Sequence, residues 1–79
     1  MNKGTERERQ EDRVGRYLKA ALKQTGVTYD DLAVRLRDYG FKETKASIAS
    51  KLSRGSFSAT FLIAALKAIG REHVTLADV

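Results

Sequence analysis

His73 is the only histidine in the chain, and no cysteine exists to pair with it. A nucleophile–base couple would have to be built from hydroxyls, lysines and carboxylates. No serine or threonine precedes a lysine at the Ser-x-x-Lys spacing that activates a hydroxyl in some acyl-transfer sites. The ten carboxylates are scattered, with Glu6, Glu8, Glu11 and Asp12 crowded near the start, so no pair is set for general acid–base work. Thiolate zinc sites and disulfides are excluded, and there is no glycine loop of the kind that cradles phosphate. The reading is therefore of a protein that is not an enzyme and carries neither metal nor cofactor.

The residues that remain chemically suggestive lie between Lys42 and Arg54. They hold four positive charges against one negative, together with Thr44, Ser47 and Ser50. Cations with short hydroxyl side chains are the composition that meets phosphates and base edges of a nucleic acid. Charge along the chain supports this focus. Residues 1–16 carry five Lys or Arg against four Asp or Glu, residues 17–55 carry eight against four, and residues 56–79 carry two against two. Nearly all of the net +5 is thus central, and a basic sector on a small domain suits a polyanionic partner.

The elements that must position those residues follow from periodicity. Seventy-nine residues make one small domain. Leu, Ile, Val and Phe supply 19 of them, above the ~20% below which chains tend to stay unfolded. Proline is absent, and glycines at 26, 40, 55 and 70 fall 14 or 15 residues apart, each after a stretch of helical periodicity. The expectation is an all-α domain of four to five short helices over residues 13–79, preceded by a flexible charged arm over residues 1–12. Thr5 and Glu8 have capping-box spacing, but everything from Thr5 to Arg13 is polar on every side, and such a segment is expected to fray. No apolar run is long enough for a membrane span, and the charged start does not fit a secretory signal, so a cytoplasmic protein without a membrane partner is expected.

Val14, Leu18, Ala21 and Leu22 form the inner face of the first helix. The second spans about 28–39: Thr28 caps it with Asp31 as the capping-box partner, and Gly40 ends it with Phe41 folded back over Leu36. The third spans about 44–54, capped by Thr44, with Ile48, Ala49 and Leu52 inward and Thr44, Lys45, Ser47, Ser50, Lys51 and Arg54 outward. The fourth is capped by Ser58 and turns Phe61, Leu62, Ala65, Leu66 and Ile69 to the core. Phe41, Phe57 and Phe61 occupy staple or core positions. Thr75 and Asp78 have the spacing of a capping box for a last short turn packed on the core.

The stretch from Val27 to Gly70 resembles the helix-turn-helix core of the Cro/phage-repressor (xenobiotic-response-element) class. "VTYDDLAVRL" is similar to its second helix, with Leu32 and Ala33 at the Leu-Ala pair, and "ASKLSRG" to the end of its recognition helix. "KLSRGSFSATFLIAALKAIG" resembles more closely still a set of small bacterial proteins grouped as a helix-turn-helix domain family of unknown function. The resemblance implies a repressor-like fold and a sequence-specific double-stranded DNA-binding protein, a bacterial or phage transcriptional regulator. It implies that the third helix is the recognition helix, with Lys45, Ser47, Ser50 and Lys51 facing the groove from Thr44 onward. Phosphate contacts would fall to Tyr29, Arg54 and Ser58, with Tyr29 where the class often carries glutamine. Gly40 follows Ala33 by seven residues, against the usual four, which implies a second helix nearly one turn longer and a wider turn. A homodimer on a two-fold site is expected, with Val74, Leu76, Val79 and the exposed parts of the fourth helix as the candidate contact. The alternative is a protein–protein interaction adaptor that uses the same frame without DNA.

Overall fold

The computed structural model describes residues 5–79. Four α-helices follow one another: α1 (Glu6–Thr25), α2 (Tyr29–Leu36), α3 (Lys45–Arg54) and α4 (Ala59–Ala68). Two short 3-10 turns complete the path, Arg37–Tyr39 after α2 and Leu76–Asp78 near the end. There is no strand among the described residues, and the fold is all-α. None of these helices is both long and apolar enough to cross a membrane.

Each helix contributes to one apolar centre. Leu18 and Leu22 come from α1, Leu32 and Leu36 from α2, Ile48 and Leu52 from α3, and Phe61, Ala65 and Leu66 from α4. Phe61 is the largest fully buried side chain. Its ring takes the edge of Phe41 at 5.9 Å between centroids and the tilted ring of Phe57 at 5.3 Å, within the range where aromatic pairs attract. The three phenylalanines therefore bind the loops before α3 and α4 to the core, as their positions in the sequence suggest.

The helix boundaries come from side-chain caps and left-handed glycines. Thr28 Oγ1 accepts the Asp31 N–H at 3.1 Å, and Asp31 accepts the Thr28 N–H at 3.3 Å. At the far end Gly40 has φ 84°, Phe41 N–H donates to Leu36 O at 3.1 Å and Gly40 N–H to Arg37 O at 3.1 Å. This is the Schellman pairing expected there. The helix it closes is not one α-helix over 28–39, however. α2 stops at Leu36, and Arg37–Tyr39 tighten into a 3-10 turn, a common way to end a helix whose last carbonyls need nearby donors.

Two other expectations need correction. Residues 6–12, expected in a flexible arm, form the first turns of α1. Residues 1–4, the rest of that arm, lie outside the described residues. The Thr5–Glu8 capping box does form, with Glu8 N–H on Thr5 Oγ1 at 3.0 Å. Arg7–Glu11, Arg9–Glu6 and Arg16–Asp12 ion pairs line the helix. Such exposed pairs add only a few tenths of a kcal/mol each. The larger reason is tertiary: the backbone at Glu11 lies against Gly55, and that at Gly15 against Leu52, so the polar segment rests on the end of α3. At the other terminus, Thr75 makes no side-chain cap. Leu76 is 85% exposed, so the last turn closes through backbone bonds without packing its leucine on the core.

Candidate functional site

α3 begins where Thr44 turns back to cap it. Thr44 N–H donates to Ser47 Oγ at 2.8 Å, and Ser47 N–H donates to Thr44 Oγ1 at 3.1 Å. A short serine thus does the work usually given to Glu or Gln at this position. The Ser47 hydroxyl in turn donates to Glu43 Oε1 at 2.7 Å, and the other oxygen of that carboxylate takes the Lys51 ammonium. Lys51 Nζ also stands 4.8 Å from the centroid of the Phe61 ring, close enough for a cation–π contact.

Ser47 and Lys51 are therefore turned towards Glu43, and this differs from the outward row expected for them. The Glu43 side chain is only 6% exposed while that of Lys51 keeps 36%. Burial alone would push the Glu43 carboxyl up. The hydrogen bonds from Lys51 and Ser47, with the Lys51 charge, outweigh that and hold it below the usual carboxylate range. Glu43 is the residue of this network that sequence reasoning passed over. Its signal was present in the four-residue steps 43, 47 and 51, which place three side chains along one side of a helix and its leading residue.

The rest of the expected face is outward. Lys45, Ala46, Ser50, Ser53 and Arg54 are exposed, and Arg54 Nη2 donates to Ser50 Oγ at 3.0 Å. Neither Lys42 nor Lys45 has an ion-pair partner among the described residues. Tyr29 and Ser58 belong to other helices. Tyr29 opens α2 and packs, half-buried, against the core. Ser58 caps α4, accepting the Phe61 N–H at 3.1 Å and sharing a hydrogen bond with Thr60 at 3.0 Å.

The electrostatic setting is uneven. α1 and α2 carry acidic residues in their first turns, Glu6 and Glu8, then Asp30 and Asp31, whereas α3 and α4 carry none. No Asp or Glu occurs between Glu43 and Glu72. The positive ends of the α3 and α4 dipoles are thus left without a carboxylate in the first turn. Glu43, just before α3, is already satisfied by Lys51 and Ser47.

His73 is exposed and lies beyond α4, and the described residues hold no group of three or more His, Asp or Glu that could take a metal ion. What the arrangement offers is a cationic, hydroxyl-bearing helix held on the domain by Ile48 and Leu52, both buried.

No curated protein and no solved structure matches the chain. Residues 11–74, well over half of its length, match the family described as Domain of unknown function (DUF6471), and the chain belongs to that family.

Proposed function

We propose that this protein binds double-stranded DNA through the exposed side of α3, as a bacterial or phage transcriptional regulator on a repressor-like helix-turn-helix frame. The observation that carries the reading is the carboxylate-free stretch between Glu43 and Glu72, with exposed Lys45 and Arg54 at the two ends of α3. A ten-residue helix is about 15 Å long and fits the major groove of B-DNA. The small exposed residues Ala46 and Ser50 between the two cations leave room for close approach to base edges. Lys42, Lys45 and Arg54 supply charge for phosphates, while Lys45 and Ser50 are the side chains best placed to read sequence. Ser47 and Lys51 serve this face indirectly, by holding the start of α3 to Glu43.

A single module this small makes a limited DNA interface, and two copies on a two-fold site would double it. Ile63, Val74 and Leu76 are large apolar side chains left 52%, 40% and 85% exposed. Lys67, Arg71 and Glu72 share a groove with Ile63 and Val74, so the patch carries both signs of charge. That mixture suits a second copy of the same chain, because under two-fold rotation Lys67 or Arg71 of one copy can face Glu72 of the other and the reverse. The adaptor reading takes the same patch as the seat of a different protein and leaves α3 without DNA.

Fluorescence anisotropy with labelled duplexes tests the proposal, using DNA from upstream of the protein's own gene and a scrambled control. Six to ten phosphate contacts should weaken binding by ~10³–10⁵ between ~50 mM and ~200 mM salt. A tighter, salt-sensitive fit to the native duplex supports a sequence-specific regulator. Absence of binding to either duplex at low salt overturns the reading in favour of the adaptor.

A further inference from the structure

A second concentration of positive charge lies away from α3, in a cavity of about 520 Å³ between α1 and the segment after α4. Arg13, Arg16 and Tyr17 line it from α1, and Arg71, His73 and Thr75 line it from the segment that follows α4. These residues are nearly sixty positions apart in sequence, and tertiary structure alone brings them together. Arg71 is fixed in place: its Nη2 donates to Gln24 Oε1 at 2.6 Å, tying the two walls to each other. Arg16 is paired with Asp12 at 3.2 Å. Arg13 has no ion-pair partner among the described residues. Asp78 and Val79 also line the cavity, and no ion pair joins either to these guanidinium groups among the described residues.

Arg16 is already paired with Asp12, but Arg13 and Arg71 line the same recess without a carboxylate partner among the described residues, and an anion held between them would gain from both charges. Guanidinium forks match the oxygens of carboxylates and phosphates, and several forks around one group favour a dianion over a monoanion. The volume lies within the range of small-molecule sites and exceeds what a bare phosphate fills. The Tyr17 and His73 rings and the small Ala20 and Ala21 also line it, giving an organic body something to rest on. From this we infer that the cavity is a binding site for a small organic phosphate, a phosphate monoester on a body the size of a sugar. This inference does not depend on the DNA reading, since none of the residues used belongs to α3.

The test is a titration of the full ¹⁵N-labelled chain, followed by amide chemical shifts, with ribose 5-phosphate, inorganic phosphate and sodium chloride at matched ionic strength. Ribose 5-phosphate should give saturable shifts at Arg13, Gln24, Arg71 and Thr75, at lower concentration than inorganic phosphate, and sodium chloride should give neither. Arg13→Gln changes a side chain with no ion pair to lose and should weaken ribose 5-phosphate binding about tenfold, the loss of one charge-assisted contact. Arg71→Gln should weaken it as well, with circular dichroism confirming the fold. Linear, unsaturated shifts overturn the inference. So do equal responses to chloride, unchanged affinity in Arg13→Gln, or shifts confined to Lys45–Arg54.

Discussion

The backbone of Gly15 lies on the carbonyl of Leu52 so closely that a β-carbon at Gly15 would collide with that oxygen. Glycine in a helix interior costs about 1 kcal/mol relative to alanine, so helix propensity alone favours Gly15→Ala. The contact reverses the sign. Because the obstacle is backbone, Gly15→Ala should destabilise the domain by about 1–3 kcal/mol through overpacking. Gly26→Ala provides the comparison. It has open space around it but φ 72°, and should cost about 1–2 kcal/mol from left-handed strain. Urea denaturation of both variants measures this, and a stabilised Gly15→Ala would disprove the close approach.

Glu43→Gln removes the charge on which Lys51 and Ser47 converge. A fully buried ion pair broken on one side costs about 3–5 kcal/mol, but the Lys51 side chain is 36% exposed. Solvent around it lowers the expected loss to about 1–2 kcal/mol. The pH dependence has a definite sign. The folded-state value lies below the ordinary 4.5, so this stability is fully present above the ordinary carboxylate range and is lost as pH falls through the lowered folded value. Denaturation between neutral pH and pH 3 should show a shallower acid slope in Glu43→Gln than in the parent protein.

Lys51 and Arg54 stand one turn apart but should respond differently to truncation. Arg54 is exposed, with only the Ser50 hydroxyl as partner, so Arg54→Ala should leave stability nearly unchanged. On the DNA-binding reading it should lower the slope of log affinity against log salt by about 0.9. Lys51→Ala leaves the Glu43 carboxylate without its cation and should cost about 1–3 kcal/mol of stability, with little change in that slope. Anisotropy at several salt concentrations, paired with thermal melts, separates the two. Equal slope changes in both variants would contradict the inward role assigned to Lys51.

Leu76→Asp addresses the exposed apolar patch. Leu76 makes no contribution to the core, so the substitution should leave the monomer fold intact. If a second copy covers the patch, sedimentation equilibrium should show self-association in the parent chain and its loss in the variant. A parent chain that stays monomeric at ~100 µM, a concentration at which even a weak micromolar association shows, would leave the patch to another protein.

Local chemistry was legible in the sequence. The caps at Thr28, Thr44 and Ser58, the glycine stops at 26, 40, 55 and 70, the inward rows of α2 and α4, and Ile48 and Leu52 of α3 (Ala49, expected beside them, is only half-buried) all follow from interactions within a few residues. Such interactions depend on residue type and spacing, which a sequence displays directly. The outward placement of Lys45, Ser50 and Arg54 followed from the same periodicity, because a helix with one buried stripe has only one side left for polar residues.

Tertiary structure decided what non-local contacts control. Residues 6–12 show no apolar periodicity, and their helix is held where Glu11 meets Gly55, forty-four positions away. Lys51 carries the same charge as Lys45, yet a buried carboxylate and the Phe61 ring draw it inward. Arg13 and Arg71 come to share one cavity only because α1 and the segment after α4 lie side by side. In each case the deciding energy comes from groups distant in sequence, which meet only once the chain has folded.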